Sequence, residues 1–407
     1  MPVPLLSTRP PRRAEESSPG RDEEMPEHAP TAGGVLGRET SSAPLLREID
    51  GLRVLALVFV IGLHYMHRLC IIAPERLIPN PDPTLLMAMM QKGDFGVQIF
   101  FTISGFVLSL PFARQFLKEG RKIGTGRFYL RRLVRLQGPL LINLMVHVLV
   151  LGVVLHKYAL PVLMAQFLPS LGWWVSTTGQ LSLINPVTWS LETELQFCLL
   201  MPLICRLFSI KSMGLRRGLM VLAIIVPPFF KGLFHPVWLP AQIEYFMVGL
   251  LLADCHLVSW SHASAGGRHL WTWAGGISFI GMLVALAVRH DHSLLVDEAM
   301  PVIGFLGIGG VLNSPVWKHL FAHRWLAVVG GWCYTVYLYH ILIIYGVLTL
   351  LFKVVPLKGL YAAFWGYLPV CLLAILGSCA LLYLFTERPF IHLSARLAKK
   401  GRSGSSS

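Results

Sequence analysis

Acidic residues are scarce in this chain: Asp and Glu number 21 against 35 Lys and Arg, and charged residues make up only 14% of the 407 positions. A soluble domain carries about 25%. With 54% of the residues hydrophobic and gathered into long runs, a water-soluble globule is excluded and a polytopic membrane protein is implied. Cysteine offers no framework either. The seven residues Cys70, Cys198, Cys205, Cys255, Cys333, Cys371 and Cys379 are odd in number, form no C-x-x-C and sit almost wholly in apolar segments, as small core residues do. A signal-peptide core is missing from residues 1–45, which hold eight prolines and scattered charge and read as a disordered cytoplasmic tail. The formal charge of +14 would suggest nucleic acid in a soluble protein. No RNA-binding aromatic pattern accompanies it, so no nucleic-acid partner is expected, and the positive-inside rule accounts for the excess.

The remaining chain is organised around R-E-I-D-G-L-R-V-L-A-L-V-F-V-I-G-L-H-Y-M-H-R, residues 47–68. Every residue from Val54 to Leu63 is apolar or Gly, so a membrane span begins here, yet Arg53 stands at its entrance and His64 well inside it. Eleven residues make about three helical turns, which puts both on one face about 16 Å apart along the axis. Such a His is either a core ring satisfied by a nearby carbonyl or a functional group. Sharing a face with Arg53, and with Asp50 and His67 at the two ends of the helix, favours function.

Further apolar segments run near 94–113, 138–156, 186–205, 218–233, 241–257, 270–288, 299–312, 326–352 and 361–385, making ten expected spans in an all-α membrane domain over 46–392 with a short cytoplasmic tail, 393–407. With both termini inside, 27 of the 35 Lys and Arg fall on the inner side and 8 on the outer side, as the positive-inside rule requires. The densest basic stretch, Arg114 to Arg135, marks an inner loop.

Polar groups at membrane depth are expensive, and several together imply a lined cavity. His64, Ser104, Glu194, Glu244 and His340 are such groups. Glu192 and Glu194 point about 200° apart on a helix, so only one of them faces that cavity and they form no acid–base dyad. Arg132 and Arg135 share a helix face at the inner edge, placed either to grip a phosphate-bearing ligand or only to anchor the span. In R-H-D-H-S-L-L-V-D-E, His290, Asp291, His292, Asp297 and Glu298 reach an H-x4-D spacing that is common by chance, so this is read as a solvated loop and no metal is expected.

Seven motifs stand in order: I-D-G-L-R-V-L-A with His64, G-V-Q-I-F-F-T-I-S-G-F, F-Y-L-R-R-L-V-R, W-S-L-E-T-E-L-Q-F, E-Y-F-M-V-G, Y-T-V-Y-L-Y-H and E-R-P-F. With them the chain resembles the integral-membrane acyltransferase-3 family, O-acylases of polysaccharides, peptidoglycan and macrolide sugars, from Arg47 to Phe390. The resemblance implies transfer of an acyl group, usually acetyl from acetyl-CoA on the cytoplasmic side, to a sugar hydroxyl. It implies His64 as the catalytic His with Arg53 its motif partner and Glu194 beside them, and Arg132 with Arg135 handling the acyl-CoA donor. Ser104, Glu244 and His340 are expected on the substrate side of the cavity, and the partners expected are membrane lipid, acyl-CoA and a carbohydrate or glycoside acceptor. Gln98 stands where the family often has Asp. After His340 no long extension follows, so a stand-alone form is expected. Two rival readings remain: a flippase of a lipid-linked sugar, disfavoured by the lack of an internal repeat, and an acyltransferase using His340 in place of His64. No segment specifies an oligomeric state.

The charge split carries a prediction. A topology reporter fused after Phe390 is expected to be active only on the cytoplasmic side, and activity confined to the outer side would reverse the orientation.

Overall fold

A computed structural model describes residues 47–72, 84–260, 264–288 and 294–403. The proline-rich tail and His290, Asp291 and His292 lie outside the described residues. Among the described residues every regular element is helical, and no three His, Cys, Asp or Glu side chains stand close enough to hold a metal ion.

The first half contains α1 (Arg47–Ile72), a short α2 (Leu85–Met90), α3 (Phe95–Leu117), α4 (Thr125–Val148), α5 (Leu160–Leu171) and α6 (Thr188–Ile204). It is followed by α7 (Met213–Ile225), α8 (Ile243–Val258), α9 (Ala265–Val288) and α10 (Leu294–Asn313). The last part holds α11 (Pro315–Phe321), α12 (Arg324–Gly331), α13 (Cys333–Val354), α14 (Leu360–Leu382) and α15 (Arg388–Ser403). Two π turns prolong helices: Leu149–Val154 after α4, and Tyr383–Glu387 joining α14 to α15.

All ten expected segments are helical, but the count of spans differs. Among the described residues seven helices are long and apolar enough to cross a membrane, and α10 with α11, bent by 92° at their junction, makes up to eight. The bend has a local cause: Pro315 has no N–H to continue α10, and the Ser314 side chain restarts the chain as N-cap by accepting from Trp317 N. At 17 and 16 residues, α6 and α8 reach only about 24–26 Å at 1.5 Å per residue, short of a bilayer core of about 30 Å. Apolarity alone suggested spans there, whereas α8 is apolar because eleven of its sixteen residues are buried in the bundle. The segment expected at 326–352 is interrupted at Trp332, between α12 and α13, and the boundary expected at 392 falls inside α15.

Outside the bundle the surface stays apolar. Ile277, Ile280, Leu373 and Phe385 are all more than 60% exposed, a surface that water would not tolerate and lipid solvates. Thus the chain is an integral membrane protein whose helices keep their polar groups inside an otherwise apolar bundle and present apolar side chains to lipid.

Helix association in lipid has no hydrophobic driving force and relies on close packing of small residues. The most extensive contact, α3 against α8, is made this way. A Cβ on Gly105 would lie 2.3 Å from the Phe246 carbonyl oxygen, and one on Gly249 would lie 2.3 Å from Phe106 N. Two of the sequence motifs, ending in S-G-F and M-V-G, therefore carry these glycines for packing. Gly249→Val is expected to strip most folded, monodisperse protein from a detergent extract, while Gly346→Val, which would meet nothing within 4 Å, leaves it unchanged. Size-exclusion profiles of the two variants decide this.

Candidate functional site

A cavity of about 110 Å³ opens between α1, α3, α4, α6, α12 and α13. Its lining includes Arg53, Ser104, Arg132, Arg135, Glu194, Tyr334, Tyr337 and Glu387, so five of the residues singled out from sequence meet here. Glu194 lies at the centre of the polar contacts, receiving a hydrogen bond from Ser104 Oγ at 2.7 Å and a charge-assisted one from Arg132. Arg53 pairs with Asp50, one turn earlier on α1. Tyr334 donates to the Leu136 carbonyl at 2.8 Å, and the Tyr337 and Ser190 hydroxyls bond at 2.7 Å.

The two glutamates of α6 separate as their spacing requires. Glu192 is buried and accepts from Ser176 N at 2.7 Å and Ser176 Oγ at 2.5 Å, fixing the turn before α6, while Glu194 faces the cavity. Glu387, delivered by the second π turn, accepts from Thr335 N and Oγ1 at 3.2 and 2.8 Å. These donors belong to the first turn of α13, where unpaired amides and the helix dipole favour a carboxylate.

The histidines lie just beyond. His64 is half-buried on α1, and its ring centroid is 5.1 Å from that of His340 on α13. His340 is wholly buried; its Nδ1 faces the Tyr337 carbonyl at 2.7 Å and the Val336 carbonyl at 3.1 Å. Carbonyls only accept, so Nδ1 carries the hydrogen and Nε2, which meets no partner among the described residues, keeps a basic lone pair. Neither ring lines the cavity. Tyr337 connects them to it, since it lines the cavity and its ring centroid is 5.7 Å from that of His340. Arg53 and His64 therefore belong to consecutive parts of the site rather than to one contact.

Two residues fall elsewhere. Glu244 does not line the cavity: its buried carboxylate is ion-paired with Lys231 Nζ at 2.9 Å. Gln98 points to the opposite side of α1 and α3, into a second, mainly apolar cavity lined also by Leu52, Phe95, Ser278 and Met282. Sequence reasoning passed over Tyr337, Glu387 and a buried group on α4, where Asn143 donates to the Leu338 carbonyl and His147 Nδ1 donates to the Asn143 carbonyl. The signal for the last pair was present, as polar residues four apart in an apolar helix.

A family model described as an acyltransferase domain matches residues 46–383, more than three quarters of the chain. No curated protein and no solved structure matches it.

The Arg132–Glu194 pair has side chains only 20% and 13% exposed, so removing one partner strands the other's charge. Glu194→Leu is expected to destabilise the protein in detergent by about 2–3 kcal/mol, and Arg132→Leu with Glu194→Leu by less than either single change. Unfolding midpoints of the three variants test this, and additive losses would mean the two charges are not coupled.

Proposed function

This chain is a member of the acyltransferase-3 family of integral-membrane acyltransferases, and from that premise we propose that it transfers an acyl group, acetyl in the first instance, from acyl-CoA to a hydroxyl of a carbohydrate or glycoside. The observation that carries this reading is the His64–His340 pair lying just beyond a basic cavity, with Tyr337 between His340 and the cavity.

Attack on a thioester needs a group that takes a proton from the hydroxyl near neutral pH and returns it to the departing thiolate. The acceptor oxygen bonds to the thioester carbonyl carbon, its proton moves to imidazole, the C–S bond breaks, and the sulfur leaves with that proton. His64 is the half-buried member and takes this role. His340, with Nδ1 tied to the backbone, orients it and supplies a second basic lone pair. Where the sequence set His64 and His340 as rivals, their adjacency makes them one unit.

Arg132 and Arg135 serve the donor. The phosphates of CoA suit guanidinium forks, and the cavity has space for a thin thioester arm rather than a nucleotide, which stays at its mouth. That mouth follows the basic stretch assigned to the cytoplasmic side, with both termini on the same side. Acyl transfer then needs the arm to pass Tyr337 to reach the histidines. Surrounding lipid and the two substrates are the only partners this scheme uses.

With purified protein in detergent and acetyl-CoA as donor, His64→Ala is expected to abolish acyl transfer and His64→Gln not to restore it, because an amide accepts no proton. His340→Ala is expected to slow transfer without abolishing it. A loss under tenfold for His64→Ala, about 1.4 kcal/mol in barrier, would return that ring to a structural role. Arg135→Ala should raise the donor KM with kcat held, and Arg135→Lys should recover it only in part.

A further inference from the structure

At the end of α1 remote from Arg53, positive charge gathers around one aromatic ring. Arg68 follows His64 by four residues and so shares its face, one turn farther along. The Arg68 guanidinium lies over the Tyr345 ring of α13, with Cζ 3.7 Å from the ring centroid. Lys157 comes from the segment after the first π turn, its Nζ 5.2 Å from the same centroid and 5.1 Å from that of Tyr158. Before it, His156 adopts φ 47°, in the left-handed region, and Lys157 N then bonds back to the Leu151 carbonyl at 2.8 Å. A non-glycine residue held there is strained, and such strain recurs where a loop presents a functional side chain.

Neither cation has a carboxylate partner among the described residues, and Arg68 Nε is buried with no hydrogen-bond partner there. Stacking uses the face of a guanidinium and leaves the in-plane N–H groups of its two terminal nitrogens, four donors in a fixed fork, open to a ligand. Elsewhere in the bundle a buried charge meets its opposite: Arg132 has Glu194, and Arg216 and Arg217 have Asp254. Here Arg68 is half-buried and Lys157 exposed, and both stand open to an anion from outside the described residues.

We propose that Arg68, Tyr345 and Lys157 form an acceptor subsite for an anionic carbohydrate, a sugar bearing a phosphate or carboxylate, which they hold with a hydroxyl toward His64. The proposal rests on the reading of His64 as the acyl-transfer centre. The fork of Arg68 engages the anion in two parallel bonds and Lys157 adds a point charge, while an uncharged sugar leaves both cations unpaired. Arg68 and His64, one turn apart, are separated by about one sugar ring, since four residues span about 6 Å. A lipid headgroup phosphate offers the same anion chemistry, so the test separates the two sources.

Binding of glucose 1-phosphate, glucuronate and methyl glucoside to the full-length protein in neutral detergent is measured by calorimetric titration, without any acyl donor. The two anionic sugars are expected to bind and methyl glucoside to bind at least tenfold more weakly. Arg68→Gln and Lys157→Gln should each weaken the anionic sugars at least tenfold, Arg68→Lys less, and Lys353→Gln, on the same end of α13, not at all. Lys157 is exposed, so its variant keeps the test open if Arg68→Gln fails to fold. In nanodiscs the anionic sugars should bind equally well in phosphatidylcholine and phosphatidylglycerol. Equal binding of all three sugars, unchanged binding in Lys157→Gln, or displacement of the sugar by phosphatidylglycerol would each overturn the subsite, the last by giving the cations to lipid. Acetyl-CoA consumption by the unsubstituted protein is followed separately: its absence with sugar binding intact removes the acyl-transfer reading and not the anion site.

Discussion

Lipid offers no counter-charge, and the interior of this bundle is arranged around that constraint. A bare carboxylate or guanidinium inside it costs several kcal/mol, so most of the buried acidic side chains are matched to basic ones, Glu192 being held instead by Ser176 N and Oγ. Asp50 takes Arg53, Glu194 takes Arg132, Asp254 takes both Arg216 and Arg217, Glu244 takes Lys231, and Glu48 reaches Lys318 at 3.3 Å. Each pair ties two elements or two turns that apolar packing alone would leave free to slide. The scarcity of Asp and Glu is thus a property of the fold as much as of the composition. Carboxylates inside the bundle serve as locks, and in the proposed reaction the proton-handling work falls to imidazole, which is neutral when it loses its proton and so can stay buried without a partner charge.

The sequence disclosed the chemistry better than its assembly. Apolar runs located ten segments that are all helical, though not α2, α5, α11 or α15, and the motif order matched the family whose model covers 46–383. Glu192 and Glu194 were separable by helix geometry alone. What the chain could not reveal was adjacency across nearly three hundred residues: nothing local to His64 or His340 says that α1 and α13 bring their rings to 5.1 Å. Glu244 looked like a cavity residue because a glutamate in an apolar run resembles any other, and only packing shows Lys231 beside it. The expected ten spans stand against seven or eight helices of spanning length among the described residues for a related reason. A helix buried among helices and a helix facing lipid have the same apolar composition, and α8 is the former.

Along the seam between α1 and α13 the functional groups fall in sequence: Arg53 with Tyr334, then Tyr337, then the His64–His340 pair, then Arg68 with Tyr345. Both helices rise through this series in the same direction, so two parallel helices present a graded path with a basic entrance at either end and a neutral middle. In the proposed reaction the middle is where the proton is exchanged. Reactants with negative charge at their far ends would meet with their reactive, uncharged parts in contact.

The π turn at Tyr383–Glu387 gives the last helices an indexing function. A π turn is an α-helix with one residue added, and that addition advances everything beyond it by about 100° around the axis. By this offset Glu387 faces the start of α13, where Thr335 holds it, and α13 carries Tyr337 and His340. The register of the C-terminal helix is therefore coupled to the rotational setting of the helix that bears half of the histidine pair. Insertions and deletions in 383–387 are not equivalent to substitutions there: a change of one residue in length turns the carboxylate away from its seat while leaving every side chain chemically intact, so this segment constrains the chain's length more tightly than its composition.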